Sequence, residues 1–400
     1  MQKQIGAILL IAGTSIGSGM IALPMVLAKL GLLPSILVML IVWLSSYKSA
    51  LVSVELNLQA GAGLALGALG NKFSGRKAEI IGNISLKLLL YSLLAVYVCG
   101  MASIGQEILA TYWQINFSFL KLSTWIAIGT IALLTAPIRW IDYVNRVFFA
   151  VLLVVFLVLL CGIVASVNVS RLPLVIDAQP SSMFFVLSVV FTSFGFHVIF
   201  HTLANYCGLD AKILKRAFFY GSIIPLLVYI AWTYGVLGVL YNANEAFYIQ
   251  MSAGHKDVGD LIKELSSISN QPNMQILVWI LSISAVFTSV LGVGAALTSS
   301  LDFMLKSRIA SDSIRRVSCS VLAVVPAYLT ATVIPNAFIK IFGFAGAILS
   351  FIAIFMPVYL FLKMISGRRS VQLFYQELSN KWLFGLLLLF GILVTMSEVI

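Results

Sequence analysis

The chain has 400 residues, of which 61% are hydrophobic and only 10% charged, with a formal net charge of +11 and a mean hydropathy of +1.05. That composition excludes a soluble globular domain and leaves an integral, multi-pass membrane protein. The basic excess reads as topology and contact with anionic lipid rather than nucleic-acid binding.

Four cysteines (Cys99, Cys161, Cys207, Cys319) lie in or beside apolar segments with no CxxC and no paired spacing. Neither a disulfide framework nor a metal site follows from them. The first apolar stretch runs too far and lacks a small-x-small cleavage site, so it reads as a span rather than a cleaved leader. Apolar runs punctuated by Pro, Gly, Asn and charge predict eleven transmembrane helices, given about 20 apolar residues per crossing. In chain order they fall at about 5–28, 33–58, 83–111, 122–139, 146–167, 182–206, 214–240, 273–302, 314–332, 337–362 and 382–399. The whole chain is one transmembrane domain.

The first span contains "LIAGTSIGSGMIALP" (10–24), with Gly13, Gly17 and Gly19 among Thr14, Ser15 and Ser18. Glycine and small hydroxyl residues are poor helix-interior choices. In hydrocarbon an unsatisfied backbone group is costly, so a break at mid-membrane marks a place lined by protein or a polar cavity. The second half of such a helix presents free N–H groups and a positive dipole end, which suits a carboxylate. Close packing of small residues, as in GxxxG, is the alternative.

The second span holds Lys48 and Glu55, two helical turns apart and too distant to pair directly. Glu55 is either a proton relay or the partner of a loop cation. In the third span, Tyr97 and Met101 could wall an aromatic ligand or simply pack. The fifth has no interior lysine. The sixth span, "FVLSVVFTSFGFHVIFHTLANY", is interrupted at Thr192, Ser193 and Gly195 and followed by His197 and His201. Breaks in spans one and six are the relationship expected of an inverted repeat whose halves each open on a discontinuous helix. The repeats would cover about 5–167 and 182–362, with 382–399 as an extra helix.

His197 and His201 share one helical face. Ionisable groups inside a bilayer are functional candidates by default, and histidine can carry a proton near neutral pH. His197 therefore stands as a substrate or proton contact, with a hydrogen-bonded structural role as the alternative; His201 reads as structural. Two histidines without a nearby Cys, Asp or Glu make a weak metal case.

Between spans seven and eight, Leu261, Ile262, Leu265 and Ile268 predict a short amphipathic helix lying across the surface. With the N-terminus inside, the internal loops and terminus carry seventeen Lys and Arg (Lys3 and Lys72 through Lys381). The other side has six, namely Lys29, Lys121, Arg171, Lys256, Lys263 and Lys340. The bias predicts a cytoplasmic N-terminus and, after eleven spans, a C-terminus on the opposite side.

"GTSIGSGMIALP" closely resembles the first-helix signature of the hydroxy/aromatic amino acid permeases, the bacterial tyrosine and tryptophan permease group. The similarity extends to "VELNL" (54–58), "LLLYSLLAVYVCGMASI" (88–104), "FTSFGFHVIF" (191–200) and "FTSVLGVGAALTSSLDF" (287–303). The resemblance implies membership of the amino acid–polyamine–organocation superfamily and a leucine-transporter fold of five plus five helices. It also implies proton-coupled import of aromatic amino acids across the bacterial inner membrane. One departure is that the related permeases have a proline shortly after the span-six histidine, where this chain has His201, Thr202 and Leu203.

On this reading the carboxylate cradle is Thr14, Ser15, Ile16, Gly17, Ser18 and Gly19. The amino group meets carbonyls around Thr192, Ser193 and Phe194, and Tyr97, Met101, Phe194, Phe196 and His197 surround the aromatic ring. No cofactor or metal is expected. The fold places a sodium site between spans one and eight, where Thr288 and Ser289 stand. Sodium coupling is thus the alternative to proton coupling through His197 or Glu55. Tyrosine, tryptophan or phenylalanine is the expected substrate, a sodium-coupled neutral amino acid symporter the runner-up. A membrane enzyme would need a metal constellation such as HExxH or a clustered carboxylate pair, a channel a repeated pore motif or charged ring, and a sensor of this fold a signalling tail.

Overall fold

A computed structural model describes residues 2–177, 179–268, 272–306, 308–334, 337–367 and 372–399. The chain folds into helices throughout these residues. They are α1 (Gln2–Ser15), α2 (Gly19–Leu27), α3 (Leu32–Ala60), α4 (Leu66–Ser74), α5 (Arg76–Trp113) and α6 (Phe119–Thr135). Next come α7 (Ile138–Ser166), α8 (Pro180–Phe185), α9 (Leu187–Ser193), α10 (Phe200–Tyr206), α11 (Ala211–Ala243) and α12 (Glu245–Ser252). The chain closes with α13 (Val258–Ile268), α14 (Pro272–Leu305), α15 (Asp312–Val333), α16 (Ala337–Ser350), α17 (Met356–Ser366) and α18 (Lys381–Val399).

Among the described residues nine helices are long and apolar enough to cross a membrane, and α1 with α2 makes a tenth, bent by 53°. The fourth expected span, at about 122–139, is α6 with 17 residues, or about 25 Å of helix against a hydrocarbon core of about 30 Å. Pro137 fixes its end, since the chain turns at Ala136 and α7 begins at once. The tenth expected span runs through α16 and α17 by way of a π turn at Phe351–Phe355.

Two groups of helices pack against each other. In one, α1 and α2 lie against α11 and α9, and α3 joins α9, α10 and α11; in the other, α5, α6, α7, α14 and α15 pack together. α16 touches both groups, through α5 and α9.

Hydroxyl residues close α1, where Thr14 Oγ1 donates to the Leu10 carbonyl at 2.6 Å and Ser15 Oγ to that of Ile11 at 3.2 Å, bonds that weaken a helix slightly, before the glycines at 17 and 19. α9 closes on the same pair of bonds: Thr192 Oγ1 donates to Ser188 O at 2.8 Å and Ser193 Oγ to Val189 O at 3.0 Å. A 3-10 turn at Phe196–Ile199 then leads to α10. Gly31, at φ +82°, turns the chain between α2 and α3, where any Cβ would come within 2.8 Å of the Pro173 carbonyl.

The amphipathic stretch after α12 does form a helix, α13, with Lys263 and Ser267 exposed on its polar face and its apolar face laid on other helices. Leu261, Ile262 and Leu265 are buried, and α13 is wedged between α5 and α14. Lys263 pairs with Glu107 of α5 at 2.8 Å. Asp257 accepts from Ser103 Oγ at 2.9 Å, and burial pushes its carboxyl above the usual carboxylate range.

Candidate functional site

The two breaks meet. A cavity of about 110 Å³ lies between them, lined by Thr14, Ser15, Gly17, Ser18 and Gly19 from the first break and Thr192, Ser193 and Gly195 from the second. A Cβ on Gly19 would come within 3.0 Å of the Ser193 side chain, and one on Gly17 within 3.1 Å of Ser289 Oγ. Glycine at these two positions is what lets α2 start against α9 and α14.

At the start of α2, the N–H groups of Gly17, Ser18 and Gly19 have no hydrogen-bond acceptor among the described residues. They carry the positive end of the helix dipole. The last residues of α1 and α9, Ser15 and Ser193, end on carbonyls, the negative ends. The phenol of Tyr97, on α5, stands among the hydroxyls of Ser18 and Ser289. The rest of the wall is apolar: Leu89, Leu90, Leu93, Val198, Val293, Phe342 and Leu349.

Such a cavity offers donors for an anion, acceptors for a cation, and an aliphatic and aromatic pocket beside them. Residues 13–17 also spell G-x-S-x-G, the pattern of a nucleophilic serine. The Ser15 hydroxyl is instead tied to its own helix, and among the described residues no histidine or carboxylate lines the cavity.

The profile of the tryptophan/tyrosine permease family matches residues 1–398. The chain belongs to that family. The permease is 30% identical to the "Tyrosine-specific transport system 1" of Haemophilus influenzae, over 99% of this chain and 96% of that one. It is 29% identical to the "Glutamine transporter 2" of Aliivibrio fischeri, over 99% of both, and 24% identical to a tryptophan-specific transport protein of Pseudomonas aeruginosa, over 99% and 94%. A mutant manganese transporter of Eremococcus coleocola has the same fold, with a TM-score of 0.58 at 13% identity, covering 98% of this chain and 85% of that one. The protein is therefore a multi-pass membrane permease and not an enzyme.

The permease brings Thr14, Ser15, Gly17, Ser18, Gly19, Tyr97, Thr192, Ser193 and Ser289 to one cavity. Ile16, Met101, Phe194, Phe196, His197, Thr288 and Glu55 do not line it. Phe194 packs edge-on to Tyr229, with ring centroids 5.3 Å apart. Phe196 stacks on His197 at 4.7 Å. The His197 ring turns away from the cavity into α3, where Nε2 donates to the Ser46 carbonyl at 3.0 Å and lies 2.9 Å from Ser49 Oγ. Thr288 Oγ1 is returned to the Ser284 carbonyl of its own helix at 2.9 Å. His201 is 3.3 Å from Thr202 Oγ1.

Glu55 is fully buried. Rather than a loop cation it holds loop backbone: its carboxylate accepts from Phe374 N and Tyr375 N, each at 3.1 Å, and from Gln59 Nε2 at 2.9 Å. Lys48 pairs with Glu377 of the same loop, as does Lys215 of α11 at 2.7 Å. Burial alone would raise the Glu377 carboxyl; the bonds from Lys215 and Lys48 outweigh it and hold it below the usual range.

A second, larger cavity of about 630 Å³ lies towards α13, lined by Met25, Lys29, Ser103, Lys256, Asp257 and Phe338 among others. Phe338 faces this cavity and Phe342 the smaller one, and the two rings stack with centroids 6.1 Å apart. Phe342 and the aliphatic lining were not legible as site residues, because nothing separates them from lipid-facing or core positions in an apolar sequence. Gly195, beside Ser193, carried the usable signal.

Proposed function

We propose that the permease is a secondary transporter that imports aromatic amino acids, tyrosine foremost with tryptophan and phenylalanine. It works by proton symport through alternating access in the bacterial inner membrane, with a cytoplasmic N-terminus. The observation that carries this reading is the polarity of the small cavity. It is lined by the two breaks, with the unpaired N–H groups of Gly17, Ser18 and Gly19 and the carbonyl ends of α1 and α9, and by the apolar Leu89, Leu90, Leu93, Val293, Leu349 and Phe342. The donors suit a carboxylate, the carbonyls an ammonium, and the apolar wall a flat side chain.

The relatives named for tyrosine and tryptophan transport support the aromatic class. The relative named for glutamine transport raises a second substrate class. The hydroxyls of the lining stand at the two breaks and on Tyr97 and Ser289, and the other side chains are aliphatic or aromatic, a mixture that favours a substrate side chain with an apolar body. Discontinuous helices at the first and sixth spans support the inverted-repeat arrangement and, with it, alternating access.

Proton coupling is favoured because buried ionisable groups, His197 and Glu55, lie in the elements packed around the breaks. Uptake of radiolabelled tyrosine into proteoliposomes, under a proton gradient and separately under a sodium gradient, tests the coupling. Accumulation under the proton gradient alone is the expected result. Accumulation under sodium alone overturns proton symport and moves the coupling ion to Thr288 and Ser289.

A further inference from the structure

Tyr229 lies on α11, in an apolar run that marks it as nothing but core. It is completely buried and does not line the small cavity. Its phenol nevertheless meets both breaks at once: Oη is 2.6 Å from the Ser15 carbonyl and 2.8 Å from the Ser193 carbonyl. These are the last carbonyls of α1 and α9, groups that a helix end leaves without an internal partner. Both are negative dipole ends, and they would repel each other without a donor between them.

The register that brings Tyr229 there is set by close helix contact. Gly221, two turns before it on α11, faces Ile11, one turn before Ser15 on α1; a Cβ on Gly221 would come within 2.7 Å of Ile11 Cβ. The Phe194 ring, edge-on at 5.3 Å, closes the other side of the phenol. The hydroxyl therefore has one orientation and one task.

A phenol supplies a single proton, whereas each carbonyl has two lone pairs. One O–H shared between two acceptors fixes both carbonyls in direction and leaves each with unused accepting capacity. Ser15 and Ser193 also line the cavity, whereas Tyr229 does not. Ser15 stands two residues before the unpaired N–H of Gly17, which matches an α-amino acid, whose ammonium and carboxylate share one carbon.

We propose that Tyr229 is the positioning residue of the ammonium subsite: its shared hydroxyl pins the Ser15 and Ser193 carbonyls in place where the breaks meet, and their remaining lone pairs accept the substrate's ammonium. The assignment rests on the amino acid reading of the cavity. It makes a prediction that a general packing role does not, because losing the phenol must harm ligands that carry an ammonium and spare those that lack one.

The test uses full-length permease in proteoliposomes and measures inhibition of radiolabelled tyrosine uptake by two cold ligands. One is L-tyrosine; the other is 3-(4-hydroxyphenyl)propanoate, in which hydrogen replaces the ammonium. Tyr229→Phe should weaken L-tyrosine by about tenfold, the scale of a hydrogen bond to a charged group, and leave the propanoate unchanged, so that the preference between them collapses. A folded Tyr229→Phe variant with the wild-type ratio overturns the assignment, as does equal weakening of both ligands. Should Tyr229→Phe fail to fold, 3-fluorotyrosine at the same position keeps the shape while changing the donor. A shifted ratio supports the role there, and an unchanged ratio overturns it. Wild-type permease that transports tyrosine but binds the propanoate equally well removes the ammonium subsite; wild-type that takes up no tyrosine overturns the amino acid reading and this assignment together.

Discussion

Gly17 and Gly19 differ in what an added methyl would meet, and the difference predicts different outcomes. On Gly19 it would lie 3.0 Å from Ser193 Cβ and 3.1 Å from Ser193 Cα, so backbone has to move. An overpacking cost of roughly 1–3 kcal/mol at the junction of the two breaks should cut initial tyrosine uptake by Gly19→Ala about tenfold or more. On Gly17 the methyl meets only Ser289 Oγ at 3.1 Å. Gly17→Ala should therefore be milder, and the double variant Gly17→Ala with Ser289→Ala should recover activity, a coupling readable in a double-mutant cycle. His197 makes a prediction of another kind. His197→Ala leaves the buried Ser46 carbonyl without its donor from the ring, worth about 1–3 kcal/mol, so the thermal midpoint should fall. If His197 also carries the proton, the variant should lose gradient-driven accumulation while keeping exchange of substrate across the membrane. The small and hydroxyl residues of both breaks were legible in the sequence because glycine, serine and threonine are conspicuous inside apolar spans. Tyr229 and the partner of His197 were not. A tyrosine in an apolar run signals only core, and His197 reaches serines 151 and 148 residues away in the chain.

At the scale of elements, the crossing helices were readable because a hydrocarbon core demands long apolar runs, and α3, α11, α14 and α18 start and stop within a few residues of the expected ends. Periodicity showed that α13 is amphipathic but not what its apolar face packs on; two contacts to α5, Lys263–Glu107 and Asp257–Ser103, draw it inward. The loop before α18 was least legible, since Lys48 and Glu377 are 329 residues apart. That loop carries a pH prediction. Lys215 and Lys48 hold the Glu377 carboxyl below its ordinary value of 4.5, so its contribution to stability is complete above that value and is lost as the pH falls through the lowered one. Thermal midpoints measured from pH 7 down to pH 3 should drop more steeply for wild-type than for Glu377→Gln, which has nothing to lose on acidification. Equal slopes would show that the Glu377 ion pairs do not set the acid sensitivity of the fold.

Across the whole molecule, two cavities lie on either side of the stacked Phe338 and Phe342, one small and enclosed by the breaks, the other large and edged by Lys29, Lys256 and Lys340. On the proposed transport cycle a carrier must keep its site from opening to both sides together, and we propose that these two rings form the barrier, since each lines one of the two spaces. Phe342→Ala should join the cavities and at least halve steady-state accumulation under a gradient, with a smaller effect on initial exchange. Accumulation equal to wild-type would place the barrier elsewhere. The central claim is that the break-lined cavity carries an aromatic amino acid from one side to the other, and counterflow tests it without reference to the coupling ion. Proteoliposomes preloaded with unlabelled tyrosine, tryptophan or glutamine are diluted into trace radiolabelled tyrosine with no ion gradient. A transient overshoot of label is expected with tyrosine or tryptophan inside and none with glutamine. An overshoot with glutamine alone would contradict the aromatic assignment, and no overshoot with any of the three would contradict carriage of these amino acids by alternating access.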